Sequence, residues 1–294
     1  MSKGISKKTE NFLLIYILCL HLQSINILTT IPIMKKIIIL LLLLISTTVI
    51  SANDSIIFKV NYIYTFKDAK ENKSDTDEMV LEIGKQYAAF HSRWRVERSR
   101  IYRQYKHEPS DKRMARTANM PRSKTFYSFY TDYPEKGVTT TSYYAINIFE
   151  CEERIEPIDW EYLDGDSVIL GHDCLKAEGM FRGHKWTVWF TPDVPMEYGP
   201  WKLRGLPGLI LYAEHDSGYF KYEAIEQGKC EGVSMFHRDD RKPIKSTAKE
   251  IQALNALYYT NADAFCERSG LPKPLNIDIK KLPSKTPIFM EKYE

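Results

Sequence analysis

The chain has 294 residues and a formal net charge of +3. The first 52 residues contain five lysines and one acidic residue, so residues 53–294 have 36 basic and 37 acidic side chains, a net charge of −1. This balance removes the basic surface that nucleic-acid binding requires, and we expect no nucleic-acid partner. The remaining length suits one large domain.

The chain starts with a predicted leader. Lys35 and Lys36 precede an unbroken apolar run over 37–45 and small residues up to 52, which is the pattern of a secretory signal peptide over 34–52. The apolar run is shorter than the ~20 residues of a membrane span. Residues 1–33 are interpreted as an upstream extension before a true start at Met34; a long anchoring leader is the alternative. Export to the periplasm or the outer membrane is predicted.

The first predicted strands follow the leader. Alternation over 56–66 places apolar residues on one face, and strands over 79–83 and 86–92 are predicted to form a hairpin. Residues 95–123 are polar and predict an excursion or an irregular helix. This part of the chain contains a basic patch, typical of a solvated loop or of contact with an anionic surface: Arg93, Arg95, Arg98, Arg100, Arg103, Lys106, Lys112, Arg113, Arg116, Arg122 and Lys124.

Strands continue at short intervals through the middle of the chain, which favours an antiparallel sheet. Three prolines make a rigid loop of residues 192–204, which cannot lie inside a sheet. Extended segments are predicted over 125–130 and 139–151, and over 159–163 and 168–170 with a turn at 164–167 between them. Two hairpins are predicted: 174–181 with 185–191, and 209–214 with 218–227.

The carboxyl-terminal part is predicted to be helical. Thr247 followed by Glu250 is a capping box, and Ile251 and Leu254 begin an apolar face. A second helical piece is predicted over 261–268. Residues 53–270 are therefore assigned to a single β-rich domain, and the proline-rich residues 271–294 to a tail.

The hexapeptide of residues 205–210 is a turn that enters a strand. Gly205 and Gly208 allow tight backbone geometry, and Pro207 fixes φ near −65°. Its spacing matches neither a dinucleotide-binding motif nor a phosphate-binding loop. We interpret it as a packed structural corner; a backbone that closely approaches a ligand is the alternative. The motif residues are Gly199, Pro200, Gly205, Leu206, Pro207, Gly208, Leu209 and Ile210.

These residues carry a resemblance to a known family. The segments 174–177, 186–192, 194–195 and 199–202, together with 205–210, resemble the GLPGLI family. The resemblance covers roughly residues 55–228, including the first strand and 79–84. It implies an exported protein of the Bacteroidetes type of Gram-negative bacteria. That family has no established activity, so no catalytic or binding residue is carried over.

The predicted fold class is mainly β (α+β), with a curved antiparallel sheet and a carboxyl-terminal helix packed on it. An aromatic-rich sheet crossed by a helix is similar at fold level to the half-barrel of periplasmic lipoprotein carriers, which forms an apolar trough. Fold alone does not imply function.

Four cysteines follow the leader: Cys151, Cys174, Cys230 and Cys266. An even number in an exported chain is compatible with two disulfides, and sequence order favours Cys151–Cys174 and Cys230–Cys266. Free buried thiols that pack as small apolar groups are the alternative.

No catalytic motif, metal site or cofactor is predicted. His172, Cys174 and His184 lack the paired spacing of structural zinc, and His215 with Asp216 is read as a hairpin turn. Asp164-Gly165-Asp166 is read as a turn and not a calcium loop. Three hypotheses remain: a non-enzymatic periplasmic carrier or binder of an apolar ligand or peptide, an assembly factor with an outer-membrane protein partner, and a hydrolase with an unrecognised site.

Overall fold

A computed structural model describes residues 54–67, 74–230, 241–270 and 290–292. They belong to one compact unit, Asn53–Glu294. The predicted leader and most of the predicted tail lie outside the described residues.

The described chain is predominantly β, as the sequence predicts. Its strands are β1 Phe58–Lys67, β2 Ser74–Ile83, β3 Ala88–Ser92, β4 Tyr127–Thr131, β5 Val138–Tyr144, β6 Ile148–Arg154, β7 Trp160–Ile169, β8 His172–Phe181, β9 His184–Thr191, β10 Leu209–His215, β11 Phe220–Lys229 and β12 Ile244–Lys245. Its helices are α1 Arg93–Gln104, α2 Ser110–Arg116, α3 Ala248–Thr260 and α4 Ala262–Ser269.

All twelve strands form one sheet in the order β12-β6-β5-β4-β3-β2-β1-β11-β10-β9-β8-β7. Every pairing is antiparallel except that of the short β12 with β6. The sheet is curved and does not close. The predicted antiparallel sheet is confirmed, with one parallel pair at its edge.

The connection between β6 and β7 explains the curvature. These strands lie near opposite edges of the sheet, yet only residues 155–159 join them. Ten strand spacings in a flat sheet would separate them by about 48 Å, since neighbouring strands are ~4.8 Å apart. Six extended residue steps reach only about 20 Å. The sheet must therefore curl until its two ends approach each other.

The inner face of the curled sheet holds the main apolar core. The predicted face of β1 is confirmed, because Phe58, Val60, Tyr62 and Tyr64 are all buried there. The chain itself covers this face. The covering residues are Val194, Met196, Tyr198, Trp201, Leu203 and Leu206 from the proline-containing loop, with Met290 from the carboxyl-terminal end.

Helices α3 and α4 extend this cover toward β5 and β6. Ile251 and Leu254 pack with Phe265 of α4 against Tyr143 and Cys151 of the sheet. The Thr247–Glu250 capping box is formed in both directions, and the predicted helix packed on the sheet is confirmed.

The structure refines two local predictions and corrects a third. The basic segment, predicted as an excursion or an irregular helix, forms two regular helices, α1 and α2, and the predicted extended segment 139–151 is divided between the strands β5 and β6. The predicted turn at 164–167 lies inside the continuous strand β7, where the extra residues are absorbed by a bulge between Leu163 and Asp166. Gly165, at φ 133°, provides the backbone geometry of this bulge.

Candidate functional site

A cavity of about 220 Å³ lies between α1 and the outer face of the sheet. The helix supplies Arg95, Val96 and Ser99, which fall on one side because residues three and four apart share a helix face. The sheet supplies His91, Ser128, Tyr130 and Tyr144, and Arg241 completes the wall. Phe90 and Phe129, one position away in β3 and β4, point instead into the main core, as strand alternation requires.

Arg95 is the central cation of this cavity. Its Nη1 donates to the Tyr127 carbonyl oxygen at 3.2 Å and its Nη2 to Ser123 Oγ at 3.4 Å. Its guanidinium carbon lies 4.8 Å from the ring centre of Tyr144. Burial lowers the pKa of Arg95, while Tyr144 and Asp77 act in the opposite direction. Arginine remains charged at neutral pH even when its pKa is lowered.

The loop beside Arg95 is held by a buried carboxylate. Asp77 accepts hydrogen bonds from Ser92 Oγ at 3.3 Å, from Lys124 N at 2.9 Å and from Thr125 N at 3.1 Å. Because Ser92 directly precedes α1, Asp77 links the start of the helix to the loop before β4. This bonding fixes the position of Arg95 over the cavity.

A second charged group lies behind the cavity. His91 Nε2 is 3.4 Å from Glu82 Oε2, and Arg100 Nη2 is 3.2 Å from Glu82 Oε1. His91 and Glu82 are each only 1% exposed. Tyr130 and Tyr144 bring their hydroxyls within 3.3 Å of each other at the cavity. None of the eight lining residues is acidic, so the lining is cationic, aromatic and rich in hydroxyl groups.

Much of the predicted basic patch serves internal contacts. Arg93 pairs with Glu78, Arg98 donates to the carbonyl oxygens of Thr117, Met120 and Pro121, and Arg116 pairs with Glu108. These contacts attach α1 and α2 to the sheet and to each other. The exposed cations that remain on the surface of this segment include Lys106, Lys112 and Arg122.

The hexapeptide motif forms a tight, buried corner. Leu206, Leu209 and Ile210 are at most 1% exposed. A Cβ atom on Gly208 would lie 2.2 Å from the Thr191 carbonyl oxygen, and one on Gly199 would lie 2.8 Å from Ile210 Cβ. Gly205 has φ 91°, a conformation that favours glycine. The close approach at Gly208 is thus to the chain's own backbone.

Asp132 ties this corner to the β4–β5 connection. It accepts from Arg204 Nη1 at 2.9 Å, from Tyr198 Oη at 3.0 Å and from Gly137 N at 2.8 Å. Burial alone would raise the pKa of Asp132, but these donors hold the pKa below its usual value. The ionised form therefore stabilises the fold above the unfolded-state pKa of ~3.9, and this contribution is lost as pH falls through the folded-state pKa.

Asp132→Asn is expected to lower the free energy of unfolding by about 1–2 kcal/mol at pH 7, because the amide keeps the shape but loses the charge–charge bond to Arg204. The difference from wild type should shrink as pH falls below about 4. Denaturant unfolding from pH 3 to pH 7 measures this. Glu135→Gln is the control: its pair with Arg154 is exposed, and we expect a change within about 0.5 kcal/mol. A pH-independent loss at Asp132 would contradict the argument.

The four candidate disulfide cysteines are free thiols in different surroundings. Cys174 lies in the main core, Cys151 lies under α3 and α4, Cys230 packs near Tyr87, and Cys266 belongs to α4. Neither predicted pair is bonded. Burial raises the pKa of Cys151 to about 11, which keeps that thiol protonated and unreactive.

The structure separates the histidines that the sequence analysis considered together. His172 Nδ1 is 3.1 Å from Asp193 Oδ2, whereas His184 joins His215 and Asp216 in a group that could hold a metal ion. Burial and the neighbouring His184 lower the pKa of His215 to about 4. Sequence reasoning missed this group because it treated the two hairpin turns separately; antiparallel pairing of 185–191 with 209–214 brings both turns to one end.

A single curled sheet with helices on both faces and a cationic cavity under α1 defines a β-rich protein with a candidate ligand-binding site. A family model described as "Protein of unknown function (Porph_ging)" matches residues 64–212, about half of the chain, and the chain belongs to this family. The match includes the hexapeptide and every cavity residue except Arg241. No curated protein matches the sequence.

Three solved structures illustrate more distant likeness. PNGF-II is 14% identical with a TM-score of 0.47, and the match covers 67% of this chain but 32% of that one, so this chain spans about a third of the PNGF-II chain. A LolA superfamily protein from Nitrosomonas europaea is 10% identical, with coverages of 64% and 92% and a TM-score of 0.26. A DUF1329 family protein from Desulfovibrio piger is 10% identical, with coverages of 61% and 88% and a TM-score of 0.20. At these scores no functional argument follows.

Among the helices of the described residues, none combines the length and the apolar character needed to cross a membrane.

Proposed function

We propose that this protein is an exported, non-enzymatic binding protein, and that it binds the anionic end of its ligand in the cavity under α1. One observation carries the proposal: Arg95 and Arg241 line a cavity with four hydroxyl-bearing residues, and none of its described lining residues is acidic. Guanidinium and hydroxyl donors that line one cavity together suit a carboxylate or phosphate group.

The size of the cavity limits the ligand. Its volume of about 220 Å³ lies below the ~300–1,000 Å³ of pockets that enclose drug-sized molecules. It therefore suits a small anion-bearing molecule or the charged end of a longer one, such as an amphiphile or a peptide terminus. Tyr130 and Tyr144 would contact the atoms next to the charged group.

An apolar carrier with its ligand in the sheet's trough has less support. The inner face is already covered by Trp201, Leu203 and Leu206, each at most 2% exposed. An acyl chain could enter there only if residues 194–206 left the sheet. Under the proposal, the apolar part of a ligand stays outside the inner core and its charged end determines the affinity.

A matched pair of probes distinguishes a protein that binds an anionic group under α1 from an apolar carrier with its ligand in the trough. Dansyl-aminohexanoic acid is expected to bind the full-length protein, with its methyl ester binding about ten- to a hundredfold more weakly, because a hydrogen bond to a charged group contributes roughly 1.5–3 kcal/mol. Arg95→Met should weaken binding of the acid by a similar factor and leave binding of the ester unchanged. Fluorescence titration at low salt measures all four affinities.

Two further variants control this experiment. Arg103→Met makes the same substitution on the exposed part of α1 and should bind as wild type does. Ser99→Phe fills the cavity from a half-buried position and should abolish binding without removing a charge. Thermal unfolding checks that each variant is folded. Equal affinity for acid and ester would favour the apolar carrier, and absence of binding to both probes and to phosphate would reject the cavity as an anion site.

Interaction with an outer-membrane protein would be a further role, added to ligand binding. Arg93, Arg98 and Arg116 are engaged within the chain, so a partner would have to use exposed cations such as Lys106, Lys112 and Arg122. We further propose that the GLPGLI-type hexapeptide serves the family as a structural corner, since its closest contacts are to backbone and core atoms.

A hydrolase is the second candidate, because the His91–Glu82 pair lies beside a cavity that also contains the hydroxyls of Ser99 and Ser128. The pairing of Glu82 with Arg100 as well argues for a structural ion pair. Hydrolysis of p-nitrophenyl acetate that Ser128→Ala abolishes would favour the hydrolase over the binding protein.

A further inference from the structure

Two hairpin turns meet at one end of the sheet, far from α1 in strand order. Strands β9 and β10 are antiparallel, and His215 at the end of β10 pairs with Trp186 near the start of β9. His184, which begins β9, therefore lies beside the turn that follows β10. Three side chains converge there. In the sequence, β9, the loop that follows it and β10 separate His184 from His215.

The three side chains present donor atoms at short distances. His184 Nδ1 and His215 Nδ1 each lie 3.1 Å from Asp216 Oδ1, and the two imidazole rings are 4.1 Å apart between centres. One ligand atom from each of the three residues lies within 4.8 Å of the other two. Ligand atoms bound to one Zn²⁺ at ~2.0–2.2 Å are separated from each other by roughly 3–3.5 Å.

We propose that His184, His215 and Asp216 bind a divalent transition-metal ion, with Zn²⁺ the best match. Two imidazole nitrogens and one carboxylate oxygen are a donor set that zinc accepts readily. Three protein ligands leave one position for water or for an added ligand. The site has access to solvent, since Asp216 is 38% exposed and His184 is 14% exposed.

The hydrogen bonds around His215 support a cation at this position. Ser217 N–H donates to His215 Nδ1 at 3.2 Å, and Ser217 Oγ lies 2.6 Å from the same nitrogen, where its hydroxyl can donate to the same lone pair. Asp216 Oδ1, also an acceptor, lies 3.1 Å from the same nitrogen. Two acceptors at this distance repel each other unless a proton or a metal ion lies between them. A metal ion would take the lone pair of Nδ1 in place of the Ser217 N–H and hydroxyl.

The surrounding structure holds the ligands in place. Lys185 N–H donates to Asp216 Oδ2 at 3.2 Å, which leaves Oδ1 directed at the histidines. His215 is 1% exposed and its ring packs edge-on against Trp186, with ring centres 5.0 Å apart. Such outer contacts orient ligands before a metal binds. A bound ion would join the two hairpins and stabilise the folded state.

Zinc titration of the chelator-treated, full-length protein tests the proposal. We expect one Zn²⁺ per chain by calorimetry and a rise in melting temperature when Zn²⁺ is added. His184→Ala and Asp216→Asn should each weaken binding at least about tenfold, a loss comparable to or larger than that from altering contacts around a metal site. His215 is left unchanged, because its buried ring belongs to the core.

Two variants sharpen the test. His172 also lies 3.1 Å from an aspartate, Asp193, but it is not one of the three proposed ligands. His172→Ala should therefore leave zinc binding as in wild type. Lys292 contributes a positive charge near His215, and Lys292→Gln should strengthen binding. Folding of each variant is verified in chelator. No saturable Zn²⁺ binding by folded wild-type protein, or an equal loss in His172→Ala, would overturn the proposal.

Discussion

Gly208→Val is expected to prevent the protein from folding. A Cβ atom at this position would lie 2.2 Å from the Thr191 carbonyl oxygen, 2.7 Å from Thr191 C and 3.0 Å from Pro192 N. All three are backbone atoms, so no side-chain rotation relieves the overlap. Moving that backbone would separate β9 from β10, whose pairing begins at Leu209 and Thr191. We expect a destabilisation above about 4–5 kcal/mol, measured as loss of folded protein and of a cooperative melting transition.

Gly228→Val is the matched control. Gly228 lies in β11, and no heavy atom lies within 4 Å of a Cβ placed there. Valine suits a strand, so this variant should unfold within about 1 kcal/mol of wild type. A Gly208→Val protein that folded normally and lost only ligand binding would mean that the hexapeptide is a binding loop and that the corner interpretation is wrong.

The sequence predicted the elements whose signals are local. Alternation identified the buried face of β1, and Thr247 with Glu250 identified the start of α3. The same reasoning did not identify α1 as a regular helix with these bounds, because Val96 is its only fully buried residue. This helix is attached to the sheet by arginine side chains, and a helix held by polar contacts has no apolar stripe for a periodicity to detect.

The candidate sites could not be predicted in the same way, because they depend on distant pairings. The cavity combines β3, α1, β4 and β5 with Arg241, and the choice of which arginine faces it depends on where α1 rests on the sheet. The aromatic residues expected to line a trough do lie on the inner face of the sheet, but Trp201, Leu203 and Leu206 cover them. Amino-acid composition does not show whether another part of the same chain covers the concave face of the sheet.

Lys202→Met is the second large expected effect, a loss of about 3–5 kcal/mol in the free energy of unfolding. Lys202 is 1% exposed, and its Nζ lies 3.0 Å from Glu153 Oε2 and 2.7 Å from Glu291 Oε1. Arg182 also contacts both carboxylates. Removing the lysine leaves two carboxylates close together with that single arginine. The ion pairs with Lys202 and Arg182 also explain how Glu291, close to the end of the chain, is held against the core.

The pH dependence identifies the cause of this loss. Burial alone would lower the pKa of Lys202, but Glu291 and Glu153 raise it above its usual value, so the wild-type contribution is complete at neutral pH and lost only as pH rises through that raised pKa. Because Lys202→Met lacks this titrating group, its deficit relative to wild type should stay constant near neutral pH and shrink as pH rises above the usual lysine pKa of ~10.4. Denaturant unfolding between about pH 7 and pH 12 measures this change.

Lys185→Met is the control for this experiment, because the Lys185–Glu178 pair is half-exposed and such pairs contribute at most about 1 kcal/mol. A deficit in Lys202→Met that did not change with pH would point to lost contacts with the rings of Phe129 and Trp201 and not to unbalanced ion pairing. Because the three charged partners come from β6, the proline-containing loop and residue 291, a pH-dependent deficit would establish that ion pairing holds these three parts of the chain together.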